Sequence, residues 1–401
     1  METLDFWHSF ATAIVAAENR IFSVDFAKVS VVSDLEPSRY HRQELIDGIG
    51  IDGQRRLRSA HALVVGCGAL GCAIVEILAR AGIGKLTIVD RDVVEITNLQ
   101  RQTLYSERDA ALAVPKAEAA KRRVGEINSE VVCRGWVDHI GAENALSYAS
   151  DADVILDGLD NLRTRFLLND VATSLGKPYF YGGAVATRGM SMPVLPGEAC
   201  LRCVFPDPFG LGTQPTCDTV GVLMSTVVAV GAHQAAQSIK WIVGAHDTID
   251  RSLWSIDAWT NRTNRIALAA ARDANCVCCG QRKFDFLAGQ FEEEATVLCG
   301  RNAVQIAPHC GAVVAVGTQG RNGGQVPTAT TIDLVIAATR LAPHGSFEDR
   351  SGRLVGTFNA VRAPNGSPVE LTLFADGRAI IRGSTDPIFA RSIYDRFVGV
   401  L

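Results

Sequence analysis

The sequence predicts an α/β protein: a doubly wound, Rossmann-like and mostly parallel sheet with a structural zinc site, followed by a small C-terminal α+β domain. Three observations carry this. From residue 62 to about 180, short apolar strands alternate with helical stretches, the rhythm of βαβ units. The first strand runs into Gly66-Cys67-Gly68-Ala69-Leu70-Gly71, a glycine turn that opens a helix. Two Cys-x-x-Cys pairs, Cys200/Cys203 and Cys276/Cys279, stand far apart in the chain with the spacing of zinc knuckles.

Residues 1–36 read as an extension, with a helix over Asp5–Ile21 and a strand over Val24–Val32. Arg39-Tyr40-His41-Arg42-Gln43 then leads into a polar amphipathic helix. Strands are expected at Leu63–Val65, Leu86–Val89, Val131–Trp136, Val154–Leu156 and Tyr179–Gly182. Helices fall between them at 70–81, 115–127, Ala142–Tyr148 and 161–175. Val220–Gly244 is the most apolar long stretch, but it contains His233, Gln234, Gln237 and Lys240, which predicts a buried core helix rather than a membrane span. Residues 284–297 are acidic and read as a linker. Beyond them come a strand over Thr296–Gln305, helices over Ile332–Leu341 and Asp386–Val398, and strands at Leu354–Val361, Val369–Phe374 and Arg378–Arg382, with Ala375-Asp376-Gly377 as a hairpin turn. The expected domains are therefore 1–36, 37–283 and 284–401.

A length of 401 residues suits two to three domains. With 47% hydrophobic and 20% charged residues and a net charge of −4, the chain has the composition of an ordinary globular protein and no basic field for nucleic acid. The acidic start Met1-Glu2-Thr3-Leu4-Asp5 is unlike a signal peptide, so a cytoplasmic location is expected, with no membrane partner. Eleven cysteines in such a chain point to metal or thiol chemistry. Cys200, Cys203, Cys276 and Cys279 suit one tetrahedral zinc, with Cys278 a rival ligand. The alternative is four unrelated buried cysteines. Cys67, Cys72 and Cys133 read as small core residues.

The glycine turn defines the chemistry. Gly66 permits the tight bend, Gly68 lets a phosphate approach the backbone and Gly71 allows close helix packing. The following helix presents free N–H groups and a positive dipole end to an anion. Asp90, about 20 residues on, stands where an acidic side chain holds ribose hydroxyls, so an adenine nucleotide is the expected ligand. Asp92, Asn98, Arg101 and Gln102 form a polar, cationic cluster just after that strand, and Lys116 opens the next helix. An Arg and a Lys beside a nucleotide suit a triphosphate; otherwise they are solvated surface charges. No P-loop signature is present. Asp160, with Asn161 beside it, follows the fourth strand, where ligands sit in open α/β sheets. It suits Mg²⁺ on the phosphates, or a helix N-cap, or both.

In order along the chain, Arg39-Tyr-His-Arg42-Gln43, the glycine turn, Asp90-x-Asp92, Asn98-Leu-Gln-Arg101-Gln102, Pro115-Lys116, Asp160-Asn161, Cys200-x-x-Cys203, Cys217-Asp-Thr-Val-Gly-Val and Asp273-Ala-Asn-Cys276-x-x-Cys279-Gly resemble the ThiF/MoeB/HesA family, bacterial relatives of ubiquitin-activating enzymes. The resemblance covers roughly residues 37–283. It implies an adenylyltransferase in which a C-terminal carboxylate attacks the α-phosphate of ATP, releasing pyrophosphate and leaving an acyl adenylate. By resemblance, Asp90 holds ribose, Arg101 and Lys116 hold phosphates, and Asp160 holds Mg²⁺. Arg42 then reaches the phosphates of a neighbouring subunit, which implies a homodimer. Cys217 resembles a thiol that in some members takes part in thioester or persulfide chemistry; the alternative is a packing cysteine.

The expected substrate is a small ubiquitin-like sulfur-carrier protein ending Gly-Gly, activated for molybdopterin, thiamine or tRNA thiolation. The alternatives are a peptide C-terminus in natural-product maturation, a catalytically silent adaptor, and a nicotinamide-dependent oxidoreductase. The last accounts only for the glycine turn and Asp90. Residues 284–401 carry no motif that translates into chemistry.

Overall fold

Strands β1 (His61–Val65) and β4 (Val154–Asp157) are apolar almost throughout and buried along their whole length, as strands covered on both faces must be. In the computed structural model they lie side by side at the centre of an eight-stranded sheet, with β2 (Lys85–Val89), β3 (Val132–Trp136), β5 (Tyr179–Val185), β6 (Arg188–Val194), β7 (Ser252–Asp257) and β8 (Arg262–Ala267) completing the order β3-β2-β1-β4-β5-β6-β7-β8. Strands β1 to β5 pair in parallel, and β5 to β8 run as an antiparallel meander. Strand order reverses between β1 and β4, the point at which open sheets of this kind leave a crevice.

The structure describes residues 38–206, 220–291, 295–298, 302–306, 332–350 and 352–398. The helix expected over Asp5–Ile21, the strand expected over Val24–Val32, Cys217, Cys299 and Cys310 lie outside them. The chain divides into two units, residues 1–41 and 42–401. Described in the first is a turn closed by the His41 N–H on the Ser38 carbonyl, 3.0 Å.

The helices of the sheet region are α1 (His41–Glu44), α2 (Gly50–Ser59), α3 (Ala69–Ala81), α4 (Glu107–Ala111), α5 (Lys116–Ile127), α6 (Ala145–Ala149), α7 (Leu162–Leu175), α8 (Leu201–Val204) and α9 (Met224–Val243). Two apolar cores result. One holds Leu57, Ile74, Leu78 and Val124; the other holds Phe166, Leu168, Tyr179 and Leu201. Helix α9 is the expected buried helix and ends at Gly244 with φ +85°. It crosses α3 closely: a Cβ on Gly231 would stand 2.9 Å from that of Ala73. No described helix is long and apolar enough to cross a membrane.

Two expectations shift here. Helix α6 spans Ala145–Ala149 rather than Ala142–Tyr148, because the Asn144 side chain accepts from the Gly141 N–H and holds that stretch as a turn. The stretch 284–291 is not a linker. Phe286 stacks on Phe166 with ring centroids 5.4 Å apart, and the Phe286 and Leu287 N–H groups donate to Asp170. Its three phenylalanines outweigh its single acid, Asp285.

The C-terminal module is a six-stranded antiparallel sheet built from β9 (Ala295–Leu298), β10 (Ala303–Ile306), β11 (Gly345–Asp349), β12 (Arg353–Arg362), β13 (Pro368–Phe374) and β14 (Ala379–Arg382), ordered β11-β12-β13-β14-β10-β9. Helices α10 (Leu334–Leu341) and α11 (Pro387–Phe397) cover one face. Asp333 and Asp386 cap them by accepting from N–H groups of the first turn. The turn at 375–377 forms as expected, with Gly377 at φ +86°. The single strand expected over Thr296–Gln305 is instead the pair β9 and β10, which Asn302 enters in the left-handed region at φ +44°.

Candidate active site

Three backbones meet where β1 and β4 end. Gly66 has φ +84°, and a Cβ there would lie 2.7 Å from the Gly158 carbonyl oxygen. A Cβ on Gly71 or on Gly158 would lie 2.1 Å from the Gly66 carbonyl oxygen. No side chain fits at any of the three. Gly68 is different: it is the N-cap of α3, and nothing approaches its Cβ position closer than the Gly158 oxygen at 3.8 Å. No side chain caps α3, so the amides of its first turn stay available to an anion. Gly158 escaped the sequence reading because it belongs to no glycine motif. Its need for glycine appears only when β4 lies beside β1.

Asp90 turns inward rather than outward. It is 8% exposed, and its two carboxylate oxygens accept from the Cys67 N–H at 2.6 Å and the Asp92 N–H at 2.7 Å. Burial raises its pKa while Lys116 pulls the other way. Asp90 thus braces the glycine turn through two main-chain bonds, and its carboxylate oxygens keep further lone pairs. Asp92 faces the site instead, with Oδ2 3.1 Å from the Lys116 Nζ. The Lys116 side chain is 5% exposed, so it is not a solvated surface charge. A second tie joins them, Lys116 N–H to the Asp92 carbonyl at 2.8 Å.

Asn98 ends a 3-10 turn, Ile96–Asn98, in which Glu95 and Asn98 cap each other's backbone. Its side-chain oxygen is therefore spent on the turn. Arg101 follows, half-buried, with Nη1 donating to the Thr97 carbonyl at 3.0 Å. Gln102 is 4% exposed, carries an unpartnered Oε1, and lies with Nε2 about the glycine turn, 4.0 Å from the Cβ position of Gly68.

The loop after β4 rests on a buried network that the sequence reading missed. Asp157 is fully buried. It accepts from Arg165 Nε at 3.2 Å, the Tyr179 hydroxyl at 2.8 Å and the Leu159 N–H at 2.9 Å. Gln234 of α9 donates to the Asp157 and Phe180 carbonyls. Arg165 continues to the Leu159 and Gly182 carbonyls. An Asp ending a buried strand, eight residues before an Arg, was the available signal. Asp160 projects from this braced loop and is exposed. The cap of α7 is Asn161, which accepts from the Thr164 N–H at 2.9 Å, so Asp160 is free of that duty. Arg42 is exposed on α1 and makes no ion pair with another described residue. The structure thus brings Gly66, Gly68, Gly71, Asp90, Asp92 and Lys116 together; it does not join Arg42 to them within one chain.

The cysteines form a second centre. The thiols of Cys200, Cys203, Cys276 and Cys279 all lie within 4.8 Å of one another, with separations of 3.9, 3.6 and 3.4 Å for 200–203, 200–276 and 203–279. Tetrahedral zinc with bonds of about 2.3 Å needs sulfurs roughly 3.8 Å apart. The cluster fits structural zinc, and the reading of four unrelated cysteines falls. Cys278 is excluded from the set: it is fully buried and receives the Asn169 Nδ2 at 3.2 Å. Asn169 also accepts from the Leu201 N–H at 2.7 Å, so one side chain of α7 ties both knuckles together.

Comparison with known proteins agrees with this architecture. The ThiF family model matches residues 40–278. The sulfur carrier protein ThiS adenylyltransferase of Bacillus subtilis is 37% identical over 362 residues, 90% of this chain and 99% of that protein. A sulfur carrier protein adenylyltransferase of Thermus thermophilus is 36% identical over 251 residues, 61% of this chain and 91% of that protein. Among solved structures, E. coli MccB matches with a TM-score of 0.54 at 23% identity, over 62% of this chain and 74% of that one, a likeness of fold. The glycine turn at the strand reversal, the paired Asp92 and Lys116 and the cysteines Cys200, Cys203 and Cys276 all lie inside residues 40–278, with Cys279 just beyond, and the chain belongs to the ThiF family.

Proposed function

We propose that this chain is an ATP-dependent adenylyltransferase that transfers AMP to the C-terminal carboxylate of a small ubiquitin-like sulfur-carrier protein, releasing pyrophosphate. The observation that carries the reading is the buried Lys116 paired with the half-buried Asp92, which Asp90 ties to the glycine turn at the uncapped start of α3. The relative from Bacillus subtilis, aligned over nearly its whole length and named for ThiS, supports the substrate class.

A carboxylate attacking a phosphate must overcome like charge, so catalysis is positioning and charge neutralisation. The amides of α3 and the side chains of Arg101 and Lys116 receive the phosphates. Asp160, with Asn161 adjacent, would hold a magnesium ion, which would supply positive charge against the leaving pyrophosphate. Zinc on Cys200, Cys203, Cys276 and Cys279 is structural. Arg42 completes the site from the neighbouring subunit of a homodimer, a reading supported by its lack of an ion pair among the described residues and by the exposed Leu45, Ile46 and Ile51 near it in the chain. Cys217 lies outside the described residues, and its thiol role is part of the proposal only by family resemblance. The adenylation core takes up residues 37–283 together with the aromatic stretch that follows, and the remainder to 401 is an attached module.

The test is ATP–pyrophosphate exchange with the Lys116→Met protein. Loss of exchange by at least about a hundredfold with zinc content unchanged is expected; exchange at the wild-type rate overturns the assignment.

A further inference from the structure

The C-terminal sheet has two faces. One packs α10 and α11 through residues such as Leu371, Leu373 and Ile381. Strand register puts Arg353, Phe374, Ile380 and Arg382 on the other. From that face and the adjoining hairpin, three arginines reach three separate loops of the sheet region.

Arg353, 4% exposed, donates from Nη2 to the carbonyl of Ala113. Ala113 is held in the left-handed region at φ +45°, a conformation that a residue with a Cβ rarely adopts without support. It leads directly into Val114-Pro115-Lys116, which pairs back on residues 92–94 through the Val94 N–H to Val114 carbonyl and Lys116 N–H to Asp92 carbonyl bonds. Arg378, 6% exposed, donates to the carbonyl of Val137 at 3.1 Å. Val137 follows Trp136, whose carbonyl receives the Asp90 N–H at 3.1 Å. Arg382 pairs with Glu95 at 3.2 Å, the residue that caps the turn ahead of Asn98, Arg101 and Gln102.

Two of the three targets are main-chain carbonyls, so what is fixed is the path of the loop. Mere cohesion between modules does not call for buried guanidinium groups, since apolar side chains do that at lower cost. Here Arg353 Nη1 and Arg382 Nε are buried without a hydrogen-bond partner, a cost accepted on the side of each guanidinium that does not face the loop.

We propose that the C-terminal module is a positioning element for the nucleotide site, with Arg353, Arg378 and Arg382 holding the loops that carry Lys116, Asp90 and Arg101 in their ATP-receiving arrangement. This rests on the reading of that site given above. None of the three arginines touches the reacting atoms; each acts through a loop.

The test is calorimetric titration of the full chain with Mg·ATP, alongside the KM for ATP in pyrophosphate exchange, for wild type, Arg353→Met, Arg353→Lys, Arg382→Met and Arg350→Met. Arg350 lies just after β11, and its side chain pairs only with Glu348 among the described residues. The expected result is about a tenfold loss of ATP affinity in Arg353→Met, which is about 1.4 kcal/mol. A matching rise in KM, a kcat within about twofold, partial recovery in Arg353→Lys and no change in Arg350→Met complete the expectation. Arg382, half-exposed and easily replaced, carries the test if Arg353→Met does not fold; a loss of about threefold is expected there. Lowered melting temperature with unchanged ATP affinity in both variants overturns the proposal. A wild-type protein that binds no ATP overturns the nucleotide-site reading as well, and is told apart because it needs no variant.

Discussion

The nucleotide side of the sheet and the cysteine lobe beneath α7 are built by opposite means. At the ends of β1 and β4 the backbone itself makes the site: Gly66, Gly71 and Gly158 lie so close that side chains are excluded, and the acid nearby is spent on bracing the turn. In the lobe, side chains make the site. Four thiols from two distant segments converge, and Asn169 and Asp170 of α7 hold the segments by their N–H groups and a sulfur. The first region is rigid because it is close-packed, and the second because it is stapled. They should therefore fail independently.

The largest effect is expected from Gly158→Ala. A methyl group 2.1 Å from the Gly66 oxygen has no flexible neighbour to displace, so the glycine turn must open. A loss of ATP affinity on the order of a hundredfold is expected with zinc retained, read by calorimetry and metal analysis. Cys203→Ser should do the reverse. Zinc is lost and stability falls by several kcal/mol, about 3 or more, while ATP affinity at a temperature where the protein stays folded changes less than about threefold. Parallel loss of both functions in either variant would break the comparison.

The smallest effects concern pH, and they have opposite signs in the two regions. His139, at the end of β3 beside Arg91, is pushed down to about 3 by burial, assisted by Arg91 and Arg378. The unfolded chain binds that proton below about 6.5, so stability present above this value is lost as pH falls, by about 2 kcal/mol at pH 5. Asp170 is pushed up to about 6 by burial, against the pull of its hydrogen bonds. Here the folded chain holds the proton longer, so stability present below about 3.9 is lost as pH rises to about 6, by about 1–3 kcal/mol. Denaturant melts across pH 4–8 should show His139→Gln flattening the acid limb and Asp170→Asn raising stability above pH 6. Unchanged profiles would show that these groups are hydrated in the folded protein.

The contrast also explains what could be read from the sequence. The glycine turn, Asp92 and Lys116 lie in short contiguous motifs, and the four zinc ligands have a spacing that survives any intervening length. Gly158, Asp157, Arg165 and Gln234 gain meaning only from the β1–β4 adjacency and from α9 crossing beneath, which no local pattern encodes. Spacing locates Asp90 just past β2 without saying which N–H groups its carboxylate will find. Strands β6 to β8 lacked a signal for a related reason: β6 contains Gly189 and Pro193, and every residue of β8 is exposed, so neither shows the alternation of a half-buried strand. The aromatic residues at 284–291 were masked by the acids beside them.

The most direct test of the account is ATP–pyrophosphate exchange by the wild-type chain with and without a small carrier protein ending Gly-Gly, and with the same carrier lacking its last glycine. The account predicts exchange that requires ATP, magnesium and the complete carrier, and that disappears with the truncated one. Exchange indifferent to the carrier's terminus, or none at all while ATP binds, would contradict it.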